Sequence, residues 1–514
     1  MDRVLAAVDV GTNSLHLVVA KVGDDDTFDV VAREKEMVRL GSGSGDMKRL
    51  APDAIERGVE TLTRFRRIAD ISGAPLRAVA TSAVREADNH HEFLARARAD
   101  AGVEVEVISG VEEARLIHLG VLQALPVFDR RLLLCDIGGG STELLVGQKG
   151  EVLFARSLKL GAVRLTNRFF PGERLHPSAV TSCRRLVAEA LVPFRRSITE
   201  LGFEVAVGSS GTIEAVVRMA HAAAGADPLR TYNGATVTAE QVKEVAGRLA
   251  KARAKGPLGP IPGLEPRRAD IILAGALILE GVVDAFAVTE LTLSDYALRE
   301  GVLLDTAHRT RGGSLHHLRD VSRRGVEHLA AAMDEDPAHS AHVAGLALQL
   351  FDATADQHGL DEGARDYLEA AALLANVGVA ISHSKHHKHA YYVIRNSDRL
   401  LGLTDGEIEV IALIARYHRK SAPKASHPEF DAVGPEDQNV VRTCAAILRV
   451  AIGLDRGHDA RVRKVKAKVR DGRLVIKAVP VEGADIDLEL YAAGERSELL
   501  AEVLGRPVEV VATG

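Results

Sequence analysis

The order of apolar and polar positions divides the chain into stretches of different period. Val4 to Val8 and Leu132 to Cys135 are short apolar runs; each leads into a glycine-bearing turn, a second strand, a polar turn (Gly23 to Asp26; Gly147 to Gly150) and a third strand. Helix-period stretches such as Asp53 to Ser72 and Pro177 to Leu201 then alternate with strands at Arg77 to Ala80, Val103 to Ile108 and Glu204 to Val207. Such alternation predicts mixed sheets covered by helices. From about Gly301, through the Gly312-Gly313 break and on to about Leu454, helical periodicity prevails, which predicts a mainly helical domain. In the tail, Arg463 to Val469 and Arg473 to Ala478 flank Asp471-Gly472, a hairpin signal, ahead of a strand at Asp485 to Leu490, a helix and a strand at Val508 to Val511. A small α+β domain is expected there.

The most informative pattern is an internal echo. Asp9-Val10-Gly11-Thr12-Asn13-Ser14-Leu15-His16-Leu17-Val18-Val19 aligns without gaps on Asp136-Ile137-Gly138-Gly139-Gly140-Ser141-Thr142-Glu143-Leu144-Leu145-Val146. Glycines and small hydroxyl residues directly after a strand let backbone N–H groups approach phosphate oxygens with no Cβ in the way. One such turn is equally a plain tight hairpin. Two copies, each opening on Asp with Ser at the same offset, favour a phosphate and metal site. Side chains alternate along the strand, so Ser141 and Glu143 share one face and Thr142 and Leu144 the other. Asp136 and Glu143 then suit Mg²⁺, which keeps several waters and borrows one or two carboxylates; the other reading of Glu143 is an exposed strand charge.

Three further segments are candidates. Gly208-Ser209-Ser210-Gly211-Thr212 lies between a strand and a helix expected from about Ile213, either a ligand contact at a helix N-terminus or a simple capped connection. Glu112-Glu113, in Ser109-Gly110-Val111-Glu112-Glu113-Ala114-Arg115, are ordinary dipole partners of a first helical turn unless the nearby loops recruit them. Arg85 follows a strand end, where a cation can reach a phosphate or remain solvated or paired.

Composition narrows the classes. At 514 residues several domains are expected, and a net charge of −6 gives the whole molecule no bulk attraction for nucleic acid or an anionic membrane. The three cysteines, Cys135, Cys183 and Cys444, are far apart and form no C-x-x-C clip, the pattern of a reducing cytoplasm. The amino-terminal apolar run meets Asp9 too early for a signal peptide, and no uncharged stretch reaches about 18 residues. A cytoplasmic protein with neither nucleic-acid nor membrane partners is expected.

Together the motifs resemble the exopolyphosphatase and guanosine pentaphosphate phosphatase (Ppx/GppA) family of the actin-like superfamily. The resemblance runs from Val8 to Ser14 through Ala80 to Arg85, Ile108 to Ile117, Asp136 to Glu143, Gly208 to Thr212 and Leu298-Arg299-Glu300-Gly301. It implies a duplicated α/β actin-like (ASKHA, ribonuclease H-like) core of half-domains 1–117 and 118–300, an all-α HD-like domain 301–458 and a small α+β domain 459–514. It also implies a general base at Glu113, a catalytic arginine at Arg85, and Asp136 and Glu143 holding Mg²⁺ or Mn²⁺. Phosphate-cradling roles fall on Asp9, Gly11, Thr12, Asn13, Ser14, Gly138, Gly139, Gly140, Ser141 and Thr142, with Gly208, Ser209, Ser210, Gly211 and Thr212 as the second-half loop.

The implied activity is processive removal of terminal phosphate from inorganic polyphosphate. Hydrolysis of guanosine pentaphosphate uses the same chemistry, and a non-hydrolytic actin-like nucleotide sensor is the rival from another class. A homodimer is what the longer relatives imply. Ile381 to Tyr391 looks like those relatives' HD-like domain, in which metal ligands would fall on His339, Ala375-Asn376 and Ile452, leaving three of the four missing. The basic residues Lys385, His386, His389, Arg395, Arg416, His418, Arg419, Lys420 and Lys424, with the strand Arg461 to Arg470, are either a path for a long polyanion or a solvated face.

Overall fold

Arg3–Val10 (β1) is apolar on both faces because it becomes the centre of a covered sheet. It pairs antiparallel with Leu15–Val22 (β2), which pairs with Phe28–Glu36 (β3), and parallel with Leu76–Ala80 (β4), beside Val105–Val107 (β5). The computed structural model describes residues 3–23, 28–41, 48–172, 175–226, 228–229, 231–310, 316–397, 399–400 and 403–513. The Gly312-Gly313 break and most of the Gly23 to Asp26 turn lie outside them.

The plan recurs. Leu132–Ile137 (β6), Thr142–Gln148 (β7), Glu151–Leu158 (β8), Val205–Ser209 (β9), Thr236–Thr238 (β10) and Glu290–Leu293 (β11) form a second sheet in the order β10-β11-β9-β6-β7-β8, against β3-β2-β1-β4-β5 in the first. The repeat is a structural one: Asp9 faces His16 across the first hairpin as Asp136 faces Glu143 across the second. Helices Pro52–Ile71 (α1), Ser82–Glu86 (α2), His90–Ala101 (α3) and Gly110–Ala124 (α4) accompany the first sheet in sequence. Ala162–Phe169 (α5), Ala179–Leu201 (α6), Ser210–Ala223 (α7), Ala239–Arg253 (α8) and Ile272–Ala285 (α9) accompany the second, and Leu298–Thr310 (α10) follows.

Helices α4 and α10 are locked together. A Cβ on Gly301 would overlap the Leu116 carbonyl and one on Gly120 the Ala297 carbonyl, so glycine alone permits this approach. Beside the contact, buried Asp305 accepts from Arg77 (2.6 Å), Arg115 (2.7 Å) and Arg309 (3.0 Å), while Arg115 also grips Glu112 and Arg77 grips Glu106. Three guanidinium groups hold the Asp305 carboxyl well below the usual carboxylate range against the opposing effect of burial.

The chain divides into compact units of residues 1–318 and 319–514. The boundary expected at 117/118 cuts α4 and that at 300/301 cuts α10, so both helices belong inside the first unit. In the second unit come His316–Met333 (α11), Pro337–Ala353 (α12), Ala355–His358 (α13), Glu362–Leu374 (α14), His386–Arg395 (α15), Asp405–Arg416 (α16), Pro428–Asp431 (α17) and Pro435–Gly453 (α18). They are followed by strands Val462–Arg470 (β12) and Arg473–Pro480 (β13), helices Asp487–Gly494 (α19) and Glu498–Leu504 (α20), and strand Val508–Ala512 (β14). One hydrophobic core runs through helical and mixed parts alike, including Leu350, Leu413 and Val450 with Leu474, Ile476 and Leu500. The expected boundary at 458/459 therefore separates two styles of secondary structure that share a core. The strand expected at Asp485 to Leu490 is instead the start of α19. Its local alternation misled because the buried set, Ile486, Glu489, Ala492 and Ala493, has helical spacing.

Candidate active site

The turns after β1 and β6 face each other: a Cβ on Gly139 would stand 3.1 Å from the Thr12 Cβ. Each is closed the same way, by Gly11 N–H to the Ser14 carbonyl and Gly138 N–H to the Ser141 carbonyl. Their other carbonyls are turned away from the cleft. Thr12 and Asn13 carbonyls accept from Gly41 and Arg39, and Gly138 and Gly139 carbonyls accept from the first amides of α5. Gly161 lets α5 come that close, since a Cβ there would overlap Gly139. Among the described residues the N–H groups of Thr12, Asn13, Gly139 and Gly140 have no backbone partner. Open amides on both sides of a cleft are an anion cradle.

Asp9, residues 11–14, Glu113, Asp136, residues 138–141 and residues 210–212 line this cleft. The acidic pair is resolved by α4 itself. Ser109 caps the helix by accepting from the Glu112 N–H (3.2 Å), Glu112 turns inward to Arg115, and Glu113 turns to the cleft. Arg85 donates to Glu113 (3.1 Å) and to the Ile108 carbonyl (2.7 Å), so it borders the cleft through Glu113. Glu143 is 1% exposed and accepts from Ser157 (2.7 Å); Asp136 accepts the Ser209 hydroxyl.

Burial and mutual repulsion push these carboxyls up. Asp9 rises to about 7, through burial first and then the Glu113 charge, and Asp136 rises to about 6 through burial, against the hydrogen bond from Ser209 and the Arg299 charge. Glu113 and Glu143 are also raised, chiefly by burial, with Arg85 pulling Glu113 back down. Four carboxylates thus meet few cations. That surplus of negative charge suits a divalent ion; Asp136 lines the cleft, whereas Glu143 is buried on Ser157 and is not among the residues that line it. Among the described residues no cluster of three or more His, Cys, Asp or Glu side chains is arranged to hold a metal by itself.

Some expected residues lie off the cleft. Thr142 is fully buried and its hydroxyl donates to the Leu160 carbonyl (2.5 Å), as strand alternation away from Ser141 requires. Gly208 is a packing glycine, because a Cβ there would press on Leu291 and Ile213. Ser209 acts through Asp136. Helix α7 begins at Ser210, earlier than expected; Ser210 holds φ +86° and, among the described residues, its buried hydroxyl has no hydrogen-bond partner.

The cleft also contains His16, Thr81, Ser82, Arg268 and Arg299, which the motif reading left without roles. Arg299 can only donate, so His16 Nδ1 accepts from it (3.1 Å) and Nε2–H donates to Ser14 Oγ (2.7 Å). Burial and the neighbouring Arg299 hold His16 neutral, well below the usual imidazole value. A signal for it existed: His16 occupies the Glu143 position of the first repeat. Arg268 lies over Gly211, and nothing in its surrounding sequence marked it.

In the second unit His339 Nδ1 meets Asp455 (2.7 Å), and the His339 ring stacks on His458 at 3.6 Å. The acid paired with His339 is therefore Asp455, three residues past Ile452, and the assignment to Ile452 is corrected; Ile452 packs on the core. Asn376 donates to Ser340 (3.3 Å). The expected basic surface thins out as well. Arg416 is paired with Glu429 (2.8 Å) and stacked on Tyr391 and Tyr417, Arg395 is paired with Glu409, and His418 is buried with its Nδ1 on the Ala415 carbonyl. His386 is half-buried with Nε2 3.2 Å from that of His418, and Arg419 donates to the His386 ring. Lys385 and Lys420 are exposed and His389 half-buried.

The sequence model of the Ppx/GppA phosphatase family matches residues 18–310, and that of Ppx/GppA phosphatase domain III matches residues 321–478. The chain is 31% identical over 449 residues to a guanosine-5'-triphosphate,3'-diphosphate pyrophosphatase of Photobacterium profundum, across 87% of this chain and 86% of that protein. Among solved structures it resembles an exopolyphosphatase of Cytophaga hutchinsonii ATCC 33406 (29% identity, TM-score 0.54, 59% of this chain and 98% of that one). It also resembles the Aquifex aeolicus member of the Ppx/GppA family (28%, 0.51, 61% and 100%).

Proposed function

The chain belongs to the Ppx/GppA phosphatase family, and from that premise we propose that it is an exopolyphosphatase, removing orthophosphate units processively from the end of inorganic polyphosphate. The observation that carries the reading is Glu113 standing in a cleft between two opposed turns with open amides. The terminal phosphate rests on those amides, with the Ser210 hydroxyl as a further donor. Glu113 takes a proton from water as the water oxygen bonds to the terminal phosphorus; the bridging P–O bond breaks, and the shortened chain keeps its electron pair. Arg85, which pairs with Glu113, turns to the phosphate when substrate binds. Asp136 and Glu143 are the residues that would hold Mg²⁺ or Mn²⁺, which when bound would supply positive charge to offset that of the phosphate. Catalysis of this kind is mainly positioning and charge stabilisation, which a preorganised buried cradle provides.

A second reading, hydrolysis of the 5'-phosphoanhydride of guanosine pentaphosphate, is favoured by the name of the Photobacterium relative. The deciding experiment is orthophosphate release from long-chain polyphosphate, guanosine pentaphosphate and ATP side by side. Polyphosphate as the preferred substrate supports the first reading, guanosine pentaphosphate the second, and tight ATP binding without release would defeat both.

A further inference from the structure

Beside the turn after β1, two side chains have the look of a hydrolytic dyad. Ser14 Oγ and His16 Nε2 stand 2.7 Å apart in the cleft. A hydroxyl next to an imidazole is the arrangement in which the ring takes the proton and the oxygen attacks. Two courses are therefore open: water attacks the terminal phosphorus, or Ser14 does, leaving a phosphoserine for water to hydrolyse. The far side of the ring decides between them.

Strand pairing fixes where that ring sits. On β2, His16 stands opposite Asp9 of β1 and Lys35 of β3, so the three side chains share one face of the sheet. Arg299, in the first turn of α10, reaches His16 Nδ1 at 3.1 Å. A guanidinium only donates, so Nδ1 must accept and the ring proton must sit on Nε2. Ser14 then cannot donate to the ring. Its oxygen accepts from Nε2–H, and among the described residues the hydroxyl has no second partner for its own hydrogen. For the ring to act as a base, Nε2 would first have to give up its proton, and Nδ1–H would then face Arg299 donor against donor. A doubly protonated ring is disfavoured too, because burial and the Arg299 and Lys35 charges oppose a positive imidazole.

We propose that His16 is a positioning residue: held in the Nε2–H tautomer by Arg299, it turns the Ser14 hydroxyl into a hydrogen-bond donor for a terminal phosphate oxygen and keeps Ser14 from attacking the phosphorus. Water is left as the nucleophile. The phosphate contact rests on the phosphohydrolase reading of the cleft, whereas the tautomer rests on geometry alone. Ser14 thereby adds a side-chain donor to the open amides of Thr12 and Asn13 in the same turn, oriented before substrate arrives.

The tautomer can be read from the imidazole nitrogen resonances of the histidine-labelled full chain, with His16 identified by the signal that H16Q removes. A protonated Nε2 and a bare Nδ1 are expected at neutral pH. Gln can place an amide N–H where Nε2–H stood, whereas the shorter Asn can reach only toward Arg299. Both variants lose the ring, so a merely structural role would cost them alike. Binding of tripolyphosphate is measured in an E113Q background, where turnover is suppressed, and orthophosphate release with Glu113 intact. H16N should weaken binding and lower kcat/KM by roughly tenfold or more, as should S14A, while H16Q recovers most of the loss. The double variant S14A/H16N should be no worse than S14A. A bare Nε2, an unimpaired H16N, equal losses in H16Q and H16N, or a further loss in the double variant would overturn the proposal, as would phosphoserine at Ser14 in acid-quenched turnover. If the wild-type chain releases no orthophosphate but H16N still weakens tripolyphosphate binding and H16Q does not, the positioning role stands and the catalytic reading fails.

Discussion

Glu113 shows how much of a residue's chemistry is set by what surrounds it. Burial and the Asp136 charge raise its pKa above the ordinary 4.5, while Arg85 lowers it. The reaction needs the carboxylate, so activity should be lost as pH falls through this raised value, and the acid limb of kcat/KM should lie above that of an ordinary glutamate. Removing Arg85 removes the lowering influence. R85Q should therefore move the acid limb to higher pH, whatever it does to the maximal rate; a limb that stays put or moves down in the pH profile would sink the pairing. Ser210 offers a test with two signs. Its buried hydroxyl has no partner among the described residues, so S210A should stabilise the free protein by about 1 kcal/mol in urea unfolding yet weaken substrate binding roughly tenfold or more, because a hydrogen bond to a charged phosphate is lost. Loss of both stability and binding would show that the hydroxyl is already satisfied. The residues alone did not show either feature: only the family resemblance singled out Glu113 from Glu112 before α4 was seen to turn Glu112 toward Arg115, and a positive φ on Ser210, between Ser209 and Gly211, has no local signature.

At the scale of elements, the repeated hairpins were readable because the same residues recur at the same offsets and strand alternation then assigns faces, placing Ser141 in the cleft and Thr142 in the core. Pairings across the molecule were not readable. Asp305 lies 190 residues from Arg115 and 228 from Arg77, yet it joins α4, α10 and β4. This joint holds Glu113 and Arg299, one on each helix. D305N keeps the shape but leaves buried guanidinium groups without their shared charge, and should cost about 3–5 kcal/mol in unfolding free energy. A loss below about 1 kcal/mol would mean that the glycine-to-backbone contact of α4 and α10 suffices without it. The same distance problem explains Ile452: the resemblance to the HD-like domain pointed to it, but the turn after α18 brings Asp455 to His339. In the tail, six residues of alternating sequence before Tyr491 were too short to separate strand from helix.

For the whole molecule, composition allowed several domains but not where their cores divide. Two compact units, the first with separate cores for its two sheets and the second with one core beneath helices and strands, predict that calorimetric unfolding contains at least two transitions. D305N should lower only the transition of the first unit; a single transition lowered as a whole would show that the units unfold together. The central claim is that the cleft between the two repeated turns hydrolyses a terminal phosphoanhydride with Glu113 as base. Its most direct test is orthophosphate release from long-chain polyphosphate and guanosine pentaphosphate by the wild-type chain and by E113Q, with substrate binding measured on both. The account predicts release by the wild type and a fall of roughly 10² to 10⁴-fold in E113Q with binding retained; release by E113Q at the wild-type rate, or none by the wild type from either substrate, would contradict it.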